Sequence, residues 1–77
     1  MDRIKILEVV INLLHTVTET EEIDADSEIF DDLEISSMDM MFLVSSLEDL
    51  FNITISEKQI RKVVTVMDIV DIVLDCK

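Results

Sequence analysis

The sequence predicts an all-α fold: a small bundle of three longer helices and one short third helix, in a single domain over residues 1–77. Three observations predict it. The chain has no glycine and no proline, the residues that a β-sandwich or barrel uses for its many tight turns. Apolar residues in the long segments recur at i, i+3, i+4 and i+7, the spacing of a helix with one buried stripe. Serine or threonine stands three residues before an acid or glutamine at Ser36–Asp39, Ser56–Gln59 and Thr65–Asp68. Each pair is a helix-start signal.

Residues 3–15 make the first helix, with a wide apolar face of Ile4, Leu7, Val9, Val10, Ile11, Leu13 and Leu14. Lys5, Glu8 and Asn12 take the other side, and His15 falls near the C-terminal end, where the helix dipole favours it. Residues 16–35 are a connection rich in Thr, Glu and Asp. A polar connection of that length in a small domain is unusual, and it points to a functional or internally packed segment. Ile23, Ile29, Phe30 and Leu33 are its expected core anchors, with a turn of helix near 28–33.

The central helix runs to Phe51, burying Met40, Leu43, Val44, Leu47, Leu50 and Phe51. Ser36 caps it, Asp39 is placed to reach back toward the cap, and Ser37 takes the first helical position. Asn52 is the stop, since asparagine tolerates the left-handed conformation. Ser56 with Gln59 opens a short third helix over roughly 57–62. Thr65 with Asp68 opens the fourth, whose stripe is Val66, Ile69, Val70 and Val73 with Ile72 and Leu74 alongside. The run Val63–Val66 is strand-like by itself, but the longer helical periodicity outvotes it.

Charge excludes several functions. Six basic residues face eighteen acidic ones, for a formal net charge of −12. Such a surface repels a phosphate backbone and an anionic membrane, and steers in a basic protein partner. The plain alternative is that acidity keeps a small domain in solution; either way, self-repulsion makes the fold sensitive to salt. The chain is 49% hydrophobic, so it is no disordered acidic tail. The single cysteine, Cys76, rules out an internal disulfide and is expected to be a free exposed thiol. No membrane span and no signal-peptide pattern are visible, so a reducing cytoplasm is the expected location and a monomer the default state.

The chemistry is sparse. His15 is the only imidazole, and there is no Gly-x-Ser-x-Gly elbow, so a serine hydrolase is excluded. Asp24-Ala25-Asp26-Ser27-Glu28 imitates the opening of a calcium loop but lacks its central glycine, and Ile35 stands where the closing glutamate belongs. No structural metal site is expected. What remains is a serine at a loop-to-helix corner.

The run Phe30-Asp31-Asp32-Leu33-Glu34-Ile35-Ser36-Ser37-Met38-Asp39, followed by Leu43-Val44 and Leu47-Glu48-Asp49-Leu50-Phe51, resembles the acyl carrier protein family. Ile55-Ser56-Glu57-Lys58-Gln59-Ile60-Arg61-Lys62-Val63-Val64-Thr65-Val66 keeps the family's spacing, so the resemblance covers nearly the whole chain. It implies a non-catalytic carrier. A phosphopantetheinyl transferase would move 4′-phosphopantetheine from coenzyme A onto the Ser37 oxygen, and the arm's thiol would carry an acyl group as a thioester. Ser36 is the rival acceptor. Met38, Asp39, Phe42, Glu48, Asp49 and Glu57 are the implied contacts for acyl-transfer and synthase enzymes with basic docking patches, against the plain alternative of a solvated face. Ile29, Leu33, Val44, Leu47, Ile60, Val63 and Ile69 match positions that shelter acyl chains, although any apolar core would look the same.

Three departures from the family stand out. Ser36 replaces a usual Asp, Glu34 a usual Gly, and Phe42 a common acid. They weaken a link to housekeeping fatty acid synthesis and leave open a specialised pathway. Two alternatives stand beside the acyl carrier: an aminoacyl or polyketide carrier, and an unmodified protein-interaction domain.

Overall fold

Helix α1 begins where the side chain of Asp2 accepts the Lys5 backbone N–H at 3.0 Å. It runs Arg3–Val17, two residues beyond the expected end. The computed structural model describes residues 2–19 and 22–76; within them the remaining helices are α2 (Ser37–Phe51), α3 (Glu57–Arg61) and α4 (Val66–Cys76). The fold is all-α, with three longer helices and a short third.

α1 packs along α4 and also against α2, and an Arg3–Asp71 ion pair at 2.7 Å ties the start of α1 to α4. The buried stripe of α1 is Ile6, Val10 and Leu14, a clean i, i+4, i+8 series. Ile6 was not among the expected face residues, and Ile4, which was, is exposed. Four turns of helix can turn only one narrow line toward the densest packing, and Ile4 lies off it. The stripe of α4 is the expected Val66, Ile69, Val70 and Val73.

The stop and start signals hold. Asn52 ends α2 in the left-handed region (φ 55°, ψ 52°). Ser56 and Gln59 form a reciprocal capping box for α3. At α4 the Thr65 hydroxyl accepts the Asp68 N–H at 3.3 Å, while the Asp68 carboxylate accepts the N–H of Thr65 at 3.0 Å and of Val64 at 2.9 Å. The N–H groups of Thr65 and then Val64 hold the Asp68 carboxyl below its ordinary value of 3.8, because they stabilise its charged form.

The long connection is internally packed, by a device the periodicity did not predict. Residues 25–29 lie antiparallel to 64–67: Ile29 donates to the Val64 carbonyl at 2.9 Å, Val66 to Ser27 at 3.0 Å and Met67 to Ala25 at 3.0 Å, with a bridge between Glu28 and Thr65. The strand-like character of Val63–Val66 is used here, just before α4 begins. The expected turn of helix near 28–33 is present as one isolated turn, with Asp32 and Leu33 both donating to the Glu28 carbonyl, and it does not extend into a helix. Ile29, Leu33 and Ile35 are buried, and Ile23 is half-buried. Phe30, an expected anchor, is exposed, because a single turn holding both Ile29 and Leu33 inward points the residue between them out.

Candidate functional site

The corner before α2 is fixed from both sides. Leu33 and Ile35 are buried; the Leu33 carbonyl accepts the Thr18 hydroxyl at 3.2 Å, and Ile35 donates to the Ile29 carbonyl at 3.2 Å. Between them Glu34 takes φ 53°, the left-handed region that glycine enters without steric cost. That conformation turns the chain so that Ser36, extended at φ −77° and ψ 166°, caps α2. The Ser36 hydroxyl accepts the Asp39 N–H at 3.2 Å, and its carbonyl accepts that of Met40 at 3.0 Å. The expected return bond from the Asp39 carboxylate to the cap does not form among the described residues.

Ser37 therefore opens the helix and is exposed. Its hydroxyl makes no hydrogen bond among the described residues, in contrast to that of Ser36. The Ser37 and Met38 N–H groups are among the first four of α2, which lack intrahelical partners, and they sit at the positive end of the dipole. Beside the serine is a groove of about 320 Å³, lined by Phe30, Ser37, Met40, Met41, Val44, Glu57, Ile60 and Arg61. A larger open recess of about 720 Å³ lies at the far end of α2, against Leu50 and Phe51. At a rise of about 1.5 Å per residue it is roughly 20 Å from Ser37.

The expected docking residues fall into unlike environments. Met38, Met41 and Phe42 are 80%, 70% and 54% exposed, so Met41 and Phe42 belong to the outer face rather than a wider core stripe. Leu50, expected in the core, is also exposed. Asp49 and Glu57 are exposed and Asp39 half-buried. The Glu57 carboxylate is 4.0 Å from the Arg61 guanidinium. Glu48 is committed internally: its Oε2 accepts the Ile55 N–H at 2.9 Å.

Of the seven apolar positions singled out for an acyl chain, Val44 and Ile60 line the groove beside Ser37. Ile29, Leu33, Leu47, Val63 and Ile69 are buried in the core behind it. Sequence reasoning missed Phe30, Met40 and Arg61 as lining residues. The signal was there for Arg61, since Glu57, Ile60 and Arg61 share one face of α3 at i, i+3, i+4.

The remaining candidates carry no site. Asp24 and Ser27 satisfy each other and the Asp26 N–H in a tight turn, and no group of acids, histidine and cysteine in the described residues could hold a metal. Cys76, expected to be exposed, is half-buried, and its thiol donates to the Thr54 carbonyl at 3.3 Å. His15 lies in the last turn of α1, exposed.

A helical bundle that offers an exposed hydroxyl at a helix start, beside a mostly apolar groove, is a protein that another enzyme can modify at that corner. Residues 5–73 match the family model described as a phosphopantetheine attachment site. The chain is 40% identical over 75 residues to an acyl carrier protein of Coprothermobacter proteolyticus, covering 95% of this chain and 92% of that one. It is 32% identical over 79 residues to an acyl carrier protein of Tropheryma whipplei, covering 100% and 96%. The fold superimposes on the acyl carrier protein of Thermotoga maritima with a TM-score of 0.81 at 28% identity, covering 99% of this chain and 91% of that one.

The chain belongs to the acyl carrier protein family. It is a carrier and not an enzyme, and its prosthetic group is a covalently attached 4′-phosphopantetheine. The corner of α2 fits such a group: Ser37 is exposed at the first position of the helix, and among the described residues its hydroxyl has no hydrogen-bond partner. Members of the family work with phosphopantetheinyl transferases and acyl-handling enzymes. Among the described residues no helix is long and apolar enough to cross a membrane.

Proposed function

We propose that this chain carries acyl intermediates as thioesters on a 4′-phosphopantetheine arm attached to Ser37 Oγ, and delivers them to fatty-acid or related biosynthetic enzymes. The observation that carries the assignment is the contrast between two adjacent serines. The Ser36 hydroxyl is spent on the Asp39 N–H, and modifying it would uncap α2 at a cost of about 1 kcal/mol. The Ser37 hydroxyl is exposed on the first residue of a rigid element.

Loading joins Ser37 Oγ to the phosphorus at the pantetheine end of coenzyme A, breaks the pyrophosphate P–O bond and releases adenosine 3′,5′-bisphosphate. The serine proton goes to a base on the transferase. The open N–H groups at the start of α2 would favour the anionic phosphodiester there. Once attached, the arm supplies a terminal thiol for the acyl group.

The groove lined by Met40, Met41, Val44 and Ile60 receives the first part of an acyl chain, with Ile29, Leu33, Leu47, Val63 and Ile69 as the apolar floor into which it could deepen. Met38, Asp39, Phe42, Asp49 and Glu57 meet the partner enzymes, and Glu48 supports the loop that positions α3. In this reading residues 1–77 act as one domain, monomeric and cytoplasmic. Phe42, exposed on α2 where the family commonly has an acid, keeps a specialised pathway, polyketide or aminoacyl, open as the alternative.

The test is intact-mass measurement after incubation with coenzyme A and a broad-specificity transferase. Wild type and Ser36→Ala gain one phosphopantetheine and Ser37→Ala gains none. A gain that survives Ser37→Ala, or no gain in any form, sinks the assignment; the second outcome leaves an unmodified interaction domain.

A further inference from the structure

Charge is distributed unevenly around Ser37. Half of the eighteen acidic residues fall between 19 and 34, in the long connection. Three of the six basic residues are Lys58, Arg61 and Lys62, against one acid, Glu57, in the same stretch. All three cations are exposed; Arg61 is 4.0 Å from Glu57, a weak surface pair, and Lys62 lines a shallow recess with Asp68 and Asp75. In a chain of net charge −12, α3 with its cap is a cationic island.

That island is continuous with the apolar outer face of α2. Met41 of α2 and Arg61 of α3 both line the groove beside Ser37, together with Glu57. Met38 and Phe42 flank Met41 on the outer surface of α2, all three more than half exposed. On α2, Glu48 is bound to the Ile55 N–H, Asp39 is half-buried and Asp49 is exposed. The outer face of α2 beside the serine is therefore mainly apolar, and the adjoining stretch 57–62 carries three cations against one acid, while half of the acids lie in the connection.

We infer that the acyl-handling enzyme for which this carrier is specific docks an apolar recess onto Met38, Met41 and Phe42 and presents an acidic patch to Lys58, Arg61 and Lys62. The inference rests on the carrier reading and names its partner. A partner with a uniformly basic docking patch is repelled by α3 at the moment its active site approaches Ser37, whereas an acidic patch there is attracted. Apolar contacts give the complex its residence, and methionines suit an adaptable contact surface. The charges set orientation and encounter rate.

The experiment uses the full chain in its phosphopantetheine-loaded form. The acyl-loading and synthase enzymes of the source organism are each assayed for turnover of the wild-type carrier, and the enzyme with the highest kcat/KM is the cognate one. For that enzyme, K58E/R61E/K62E lowers kcat/KM about tenfold or more through KM, and the loss deepens as salt is lowered. K58Q/R61Q/K62Q falls between. M41S/F42S also loses kcat/KM, but with no added salt dependence. With a transferase whose docking surface is basic, the triple reversal instead speeds loading.

If the reversal raises or leaves unchanged kcat/KM with the cognate enzyme, the acidic patch does not exist and the inference is overturned. Normal loss in the triple variant but full activity of M41S/F42S removes the apolar recess and overturns it equally. Failure of the carrier reading shows separately, as absence of the mass gain at Ser37 before any partner is assayed.

Discussion

Glu34 holds a conformation suited to a residue without a β-carbon, and that gives a quantitative test of the corner that presents Ser37. Its φ is 53°, and for an L-residue the left-handed region costs about 1–2 kcal/mol. Its side chain is exposed, so removing it sacrifices no core contact. Against the relief of strain stands the extra flexibility of glycine in the unfolded chain, about 0.5–1 kcal/mol. The net prediction for Glu34→Gly is a gain of about 0.5–1 kcal/mol. For a domain this size that raises Tm by roughly 2–8 °C.

Removing a carboxylate near Asp31 and Asp32 also reduces self-repulsion, so Glu34→Gln is the control that alters charge and keeps the β-carbon. Asn52, the other non-glycine residue at positive φ, sits there at less cost because asparagine tolerates the region; Asn52→Gly should gain less than Glu34→Gly. The assay is urea unfolding followed by circular dichroism, with an unchanged slope showing that stability alone moved. Equal gains from the Gly and Gln variants, or no gain from Gly, would refute the claim that the backbone at Glu34 is strained.

Two further predictions concern the bundle. Asp68 accepts two backbone N–H groups ahead of α4, and its carboxyl is held below 3.8. Its stabilising charge is fully present above that unfolded-state value and is lost as pH falls through the lower folded-state value. The stability gap between wild type and Asp68→Asn should therefore be constant at neutral pH and close below about pH 4, as read by urea midpoints across pH. Leu47 is fully buried, so Leu47→Ala should cost about 2–5 kcal/mol. Calorimetry should find that loss to be a large part of a total that for 77 residues is only about 4–12 kcal/mol.

The helices were legible because their signals are local: Ser36, Asn52, Ser56–Gln59 and Thr65–Asp68 each act within four residues, and each stands where the spacing put it. The stripe of α4 was legible because Val66, Ile69, Val70 and Val73 keep the i, i+3, i+4, i+7 spacing and all four are buried. α1 was less so, since eight of the residues 4–14 are apolar and periodicity alone cannot say which of Ile4 or Ile6 faces α4. The connection was legible as packed but not in its manner, because the pairing of 25–29 with 64–67 is a long-range event. Ser37, which opens α2 where the capping signal put it, was singled out by the family resemblance and by its place at the corner. The groove beside it was not, because its lining comes from α2, α3 and the connection together, and no single periodicity reports it.

Glu48 has two readings, a docking acid and a structural clasp, that two variants can tell apart. Read as a docking acid, it should act through its charge. Its Oε2 instead accepts the Ile55 N–H at 2.9 Å, holding the segment that leads from α2 to the Ser56 cap of α3. The two roles predict different behaviour in two variants. Glu48→Gln removes the charge but keeps a carbonyl oxygen able to accept the same N–H, so a docking role would slow transferase loading in Gln and Ala variants alike. A structural role would leave Glu48→Gln near wild type in both stability and loading. Glu48→Ala would then lose about 1–2 kcal/mol, because the half-buried Ile55 N–H is left without its partner. Chemical-shift changes in that case should run through Ile55 and α3, away from Ser37. If Gln slows loading as much as Ala while both remain as stable as wild type, the clasp is incidental and Glu48 belongs to the docking face after all.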